Sequence, residues 1–257
     1  MKILVCIKHV PDTEAKIRIG ADGKRPDLAG VKMIVSPFDE YALEEALLIK
    51  EKGAATEVVV LGAGDDGAQA SLRQALAMGA DRGIQVNDPG LVTADALTRA
   101  KALAAAIREE SPDLIFTGKT GVGDDEGQVG PMLGELLDLP HAGGVVELTL
   151  GSGVFTAHRD IEGAVEIVEG SLPAVLAWDK GEHPPRYPSL KGIMAAKKKP
   201  LAVKSASDLG VAGGAPLVVR EKLELPPARP AGRILSGDVA ETAAELARLL
   251  RDEAKVI

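Results

Sequence analysis

The strongest constraint on this chain is the regular alternation, through its first half, of short β-branched runs with segments of helical period. Residues 3–10, 57–62, 82–87 and 113–118 are short and nearly continuous in apolar character, the pattern of strands covered on both faces. Helical patterns over 67–78, 93–110 and 128–137 follow the second, third and fourth of them. A further helix follows the first strand and carries its own punctuation. Ser36 suits the N-cap, Pro37 the first turn, Asp39 and Glu40 the positive end, Lys50 and Lys52 the negative end, and Gly53 the stop. Its apolar stripe runs through Phe38, Ala42, Ala46 and Ile49. Such alternation predicts an α/β fold, with a doubly wound, mostly parallel, Rossmann-like sheet.

Beyond Pro140 the pattern changes. Residues 145–150, 153–159, 164–169 and 174–178 are strand-like runs parted by Gly and Pro, which predicts β-hairpin additions to the sheet. From 181 to 230 the chain is rich in Pro, Lys and Gly and weak in periodicity, as functional or docked segments are. Residues 239–250 form an amphipathic helix through Ala243, Leu246, Ala247 and Leu250.

Composition closes several functional classes. Aromatic residues make up 2% of the 257 and the net charge is −8, so the chain lacks the stacking platforms and positive field of a nucleic-acid binder. The single cysteine, Cys6, excludes a CxxC redox or zinc site, and its apolar surroundings suit a buried thiol. His9, His141, His158 and His183 are scattered without the spacing of metal ligands. No G-x-S-x-G or other activated nucleophile occurs, so no catalytic residue is assigned. No apolar stretch approaches the roughly 20 residues of a membrane helix, and Met1 leads directly into the first strand. These features predict a cytoplasmic protein without membrane insertion.

Two glycine-rich stretches carry the candidate chemistry. Gly62-Ala63-Gly64-Asp65-Asp66-Gly67 fits G-x-G-x-x-G between a strand and a helix. Its paired acids stand where a pyrophosphate needs positive potential, and a plain βα turn accounts for it equally. Gly118-Lys119-Thr120 mimics the end of a P-loop, but Asp113 replaces the required earlier glycine. The wider stretch 118–131 leaves the carboxyl end of a strand, where open α/β sheets bind ligands, and enters a helix N-terminus that offers N–H donors to phosphate. Asp124 and Asp125 would then face ribose, adenine nitrogens or the loop's own backbone. An acidic loop that merely caps a helix is the other reading. Downstream, Leu190, Ile193 and Met194 stand beside lysines in a Pro-flanked segment, a docking knob unless they tuck into the domain. Lys197-Lys198-Lys199 reads as a solvated run.

Lys8-His9-Val10-Pro11-Asp12, Ser36-Pro37-Phe38-Asp39-Glu40, Ala75-Leu76-Ala77-Met78-Gly79-Ala80-Asp81, Gly118-Lys119 with Asp124-Asp125 and Gln128, and Pro185-Arg186-Tyr187 through Met194 to Lys199 occur in one order. Together they resemble the β subunit of electron-transfer flavoproteins over nearly the whole chain. The resemblance implies an adenine-nucleotide-binding Rossmann-like domain over 1–185. It implies that 186–257 forms a recognition loop and an extended C-terminal arm packed on a larger α subunit. An FAD would be shared with that subunit, and an AMP would sit in this chain. The AMP would be held by Cys6, Ser36, Pro37, Phe38, Asp39, Ala63 and the loop residues Gly118, Gly121, Val122, Gly123, Asp124, Asp125, Gly127, Gln128 and Val129. Thr13 and Phe38 would approach the flavin, Asp160 would meet the flavin-carrying domain, and Leu190, Ile193, Met194 and Lys197 would dock flavin dehydrogenases.

The implied role is that of an electron carrier and not an enzyme. Electrons from acyl-CoA or related dehydrogenases of fatty acid oxidation would pass through FAD to a membrane quinone oxidoreductase. Thr13, Gly127 and Val129 depart from members with a structural AMP, and Gln128-Val129-Gly130-Pro131 is similar to members that hold a second FAD and bifurcate electrons. The nucleotide therefore stays open between AMP and FAD. A stand-alone adenine-nucleotide ligase or NAD-binding enzyme is the reading from a different class.

Overall fold

The computed structural model describes residues 1–211, 216–229 and 231–257; residues 212–215 and 230, part of the stretch read as weak in periodicity, lie outside the described residues. The first elements are β1 (Lys2–Cys6), β2 (His9–Pro11), β3 (Arg18–Ile19), β4 (Pro26–Asp27), β5 (Met33–Val35) and α1 (Pro37–Glu51). There follow β6 (Glu57–Gly64), α2 (Ala68–Met78), β7 (Arg82–Asn87), α3 (Ala96–Glu110), β8 (Leu114–Gly118) and α4 (Val129–Leu137). The rest comprises β9 (His141–Leu150), β10 (Val154–Ile161), β11 (Ala164–Ser171), β12 (Ala174–Trp178), α5 (Leu190–Ala196), β13 (Leu201–Ser205) and α6 (Val239–Asp252).

Among the described residues the main sheet has the order β11-β10-β9-β12-β8-β1-β6-β7-β13. Every neighbouring pair from β9 to β13 is parallel, and β10 with β11 adds an antiparallel hairpin at one edge. The chain builds outward from β1 through β6 and β7, then crosses back to β8 on the other side. That reversal opens a crevice at the carboxyl ends of β1 and β8, where open α/β sheets take ligands.

The central strands β1, β6, β8 and β12 are buried on both faces. Ile3 and Val5 share one core with Val58, Val60, Phe116 and the inner residues of α1 and α2. Leu4 and Cys6 share the other with Val59, Leu61, Ile115 and the inner residues of α3 and α4. Each strand feeds alternate side chains to opposite helix layers, which is why these strands read as continuous apolar runs.

Several expectations change. Residues 3–10 are not one strand: β1 ends at Cys6, and β2 leaves the sheet to pair antiparallel with β5. The N–H of Lys8 donates to Asp39 Oδ2 at 2.7 Å, so a carboxylate stands in for a ladder partner. Residues 174–178, grouped with the hairpins from sequence, form β12, which inserts in parallel between β9 and β8 and is buried at every position. The weakly periodic segment holds α5 and β13, and β13 extends the sheet beside β7, so 186–211 packs with the sheet. On α1 the buried face is broader than the stripe, because Arg186 and His183 cover Glu44 and Glu45 at 2.8 and 2.7 Å. On α6 Leu249 is buried while Ala243, Leu246 and Ala247 are exposed. No helix among the described residues is long and apolar enough to cross a membrane.

Asp95 links the arm to this body. It caps α3 by accepting from Thr98 N–H at 2.8 Å, and it accepts from Leu217 N–H at 2.6 Å. The hydrogen bonds from Thr98, joined by those from Leu217 and Val218, lower its pKa from 3.8 to about 2. Its folded value lies below its unfolded one, so the stabilisation is present above about pH 4 and lost as pH falls toward 2. Chemical denaturation near neutral pH should show Asp95→Ala costing about 1 kcal/mol, with the gap to wild type shrinking on acidification.

Candidate functional site

At the crevice β1, β6 and β8 deliver Cys6, Ala63, Thr117 and Gly118 to a cleft. Asp39 of α1, Arg99 and Leu103 of α3, and the loop leading from β8 to α4 complete its walls. Asp39 organises the arrangement. Its buried carboxylate accepts from Lys8 N–H at 2.7 Å and from Gly118 N–H at 2.9 Å, tying two central strands to the start of α1, where the helix dipole favours an anion. Burial raises its pKa to about 7, against the pull of the donors from Lys8 and Gly118. A Cβ at Gly118 would stand 2.5 Å from Asp39 Oδ1 and 2.7 Å from Phe38 Cβ, so the strand end must be glycine. Burial, reinforced by the charge of Asp39, pushes the Cys6 thiol far up, which leaves it protonated and inert.

The loop is held by ion pairs. Lys8 Nζ lies 2.5 Å from Asp124 Oδ2, and Arg99 Nη2 lies 3.2 Å from Asp124 and 3.0 Å from Glu126. Asp124 thus faces cations inside the protein. Asp125 donates its N–H to the Gly121 carbonyl at 2.9 Å and leaves its side chain exposed. Ser36 Oγ and Thr117 Oγ1 are buried without a hydrogen-bond partner among the described residues, and Thr117 lines the cleft.

Of the residues singled out from sequence, Cys6, Asp39, Ala63, Gly118, Gly121, Asp124, Gly127, Gln128 and Val129 line this one cleft. Ser36, Pro37 and Phe38 do not line it and sit at the start of α1; Val122, Gly123 and Asp125 form the turn of the loop. Sequence reasoning does not single out Lys8 as a pocket residue, nor Arg99 or Thr117, all of which line the cleft; Thr120 and Glu126 also line it and lie within the loop 118–129 that the resemblance implies. Lys8 was hidden from it inside the run 3–10, which reads as one strand. Arg99 was hidden too, because one arginine in a helical pattern reads as a surface residue.

The other candidates lie apart. Thr13 is exposed beyond β2, Phe38 is half-buried, and Asp160 is exposed on β10 opposite Val165. In the Gly62–Gly67 stretch, Gly67 N–H donates to Asp65 Oδ1 at 2.9 Å and Asn87 Nδ2 to Asp66 Oδ1 at 2.8 Å. Both acids are spent within a βα turn that gives the cleft only Ala63. On α5, Leu190, Ile193 and Met194 are 77%, 45% and 67% exposed. Lys199 departs from the solvated run: its Nζ donates to the carbonyls of Leu76 at 2.9 Å and Ala80 at 2.5 Å.

The family model of the electron transfer flavoprotein domain matches residues 27–209. Electron transfer flavoprotein subunit beta of Syntrophomonas wolfei is 43% identical over 256 residues, covering 100% of this chain and 98% of its own. Its counterpart from Bradyrhizobium diazoefficiens is 43% identical over the full length of both chains. The mouse protein is 39% identical over 90% of this chain and 91% of its own. The chain belongs to the electron transfer flavoprotein β-subunit family. In this β subunit Gly118 stands against Asp39 and Phe38 at the cleft wall with no room for a side chain. Gly118→Ala should cost about 1–3 kcal/mol, as overpacking does, read as a lower urea midpoint with an unchanged denaturant slope.

Proposed function

We propose that this chain is the nucleotide-holding and docking half of a heterodimer whose α subunit carries most of a shared FAD site, and that its own cleft holds AMP. The observation that carries the nucleotide reading is the cleft at the sheet reversal, which Lys8, Arg99 and Lys119 line together. The first turn of α4 adds N–H donors suited to phosphate. The residues present therefore fit an adenine mononucleotide. AMP is favoured over a second FAD because Arg99 ties Asp124 and Glu126 of the loop to α3 at the cleft, and the smaller ligand asks less of those pairs. A second FAD would require those pairs to open, and its presence would make the protein a bifurcating one.

On this reading Ser36, Pro37 and Phe38 back the nucleotide at the start of α1, and Val122, Gly123 and Asp125 shape the loop above it. Thr13 and Phe38 approach the shared flavin, and Asp160 meets the flavin-carrying domain. Bound nucleotide stabilises the fold by favouring the native state. Acyl-CoA or related dehydrogenases dock on Leu190, Ile193, Met194 and Lys197 and pass electrons to the flavin, which a membrane quinone oxidoreductase then drains. The arm offers Leu217, Val218, Leu225, Ile234 and Val239, all more than 60% exposed, as cover for the α subunit. The chain contributes no catalytic residue; the flavin supplies the redox chemistry.

Nucleotides released from the denatured heterodimer should be one AMP and one FAD. Two FAD would replace AMP with the bifurcating reading, and FAD alone would remove the nucleotide role of the cleft. Leu190→Ala should raise the KM of a reduced acyl-CoA dehydrogenase for this acceptor by about 10-fold or more, as loss of an interface anchor does. An unchanged rate at limiting protein would remove the docking role.

A further inference from the structure

Helix α5 spans seven residues and buries only Ala196, so apolar packing and propensity alone do not hold it. A reciprocal exchange of hydrogen bonds with α2 does. Arg73 Nη1 donates to the carbonyl of Ala196 at 2.7 Å and to that of Lys199 at 2.8 Å. In return Lys199 Nζ donates to the carbonyls of Leu76 at 2.9 Å and Ala80 at 2.5 Å. Each cation satisfies carbonyls left open at the C-terminal end of the opposite helix, where its charge also suits the dipole. The two helices meet closely: a Cβ at Gly192 would overlap the Ala77 carbonyl oxygen. Ser189 Oγ accepts from Gly192 N–H at 3.0 Å at the start of α5. Upstream, Arg186 clamps the incoming segment to Glu44 and Glu51 of α1 at 2.8 and 2.5 Å. Every anchor of α5 faces inward, while Leu190, Ile193 and Met194 face out.

We propose that Arg73 and Lys199 are positioning residues for electron-donor docking: they fix the orientation in which α5 presents Leu190, Ile193 and Met194, without touching the donor themselves. The inference rests on the docking reading above. Without the clamp so short a helix frays, and the donor must order it on binding at a cost in affinity.

The test uses the flavin-loaded heterodimer and a reduced flavin dehydrogenase. Arg73→Ala should raise the half-saturating concentration about 10-fold and leave kcat and flavin content unchanged. Arg73→Lys, which keeps one donor, should restore part of the loss. Amide exchange over 193–198 should accelerate in Arg73→Ala, and adding Arg73→Ala to Leu190→Ala should raise KM little further. If Leu190→Ala raises KM and Arg73→Ala does not, the positioning role is overturned; a fall in kcat or flavin content in place of the KM change overturns it too. If Leu190→Ala leaves KM unchanged, the docking reading fails and the positioning role for docking is overturned with it; faster exchange over 193–198 in Arg73→Ala then shows only that Arg73 fixes α5.

Discussion

One buried carboxylate, that of Asp39, joins the ends of the two strands between which the chain reverses direction. By accepting from Lys8 and Gly118 N–H groups it satisfies with a side chain a backbone donor just past β1 and one at the end of β8. Removing a carboxylate from water costs several kcal/mol. Two charge-assisted hydrogen bonds and the positive start of α1 offset much of that cost. Three consequences follow from the one contact. The chain can leave the sheet after Cys6 and form β2, Gly118 can carry no side chain, and α1 begins at the mouth of the cleft.

The electrostatics of the cleft run against those of the chain as a whole. A molecule with net charge −8 gathers Lys8, Arg99 and Lys119 around one opening, and each is already paired with a carboxylate of the same neighbourhood. An anion entering there competes with Asp124 and Glu126 for cations held in place beforehand. On the proposed nucleotide reading, loop position and ligand binding would be coupled by the same charges, and the cations would need little reorganisation when partners change. Glycines with positive φ at 123 and 127 give the loop the freedom to make that exchange.

What could be read from sequence follows what each signal depends on. β1, β6 and β8 announce themselves because burial on both faces writes a local apolar run, and the cleft loop because a strand end followed by glycines is also local. The break after Cys6 is not local: it depends on a residue 31 positions away. Residues 174–178 are as apolar as the other interior strands, but their insertion between β9 and β8 is decided by which neighbours are vacant. Arg99 reads like any helical arginine until the loop it binds is placed. β13 and α5 escape periodicity because one is an exposed edge and the other is held by Arg73 and Lys199. A lysine that looks solvated in a run of three serves instead as a helix clamp.

These contrasts divide the molecule by the kind of force that holds each part. The body is fixed by apolar layers on both faces of the sheet, whose close packing resists local change. The elements proposed to meet other proteins are fixed by a few directed polar contacts: α5 by two cations, the arm by Asp95, and the segment before α5 by Arg186. Directed contacts set orientation without adding much stability, so such an element can be held in register and still yield when a partner covers it. Burying Leu190 or Met194 in the body would have made α5 firmer and left it nothing to dock with. Polar anchoring from below is what allows the apolar side chains to remain on the outside.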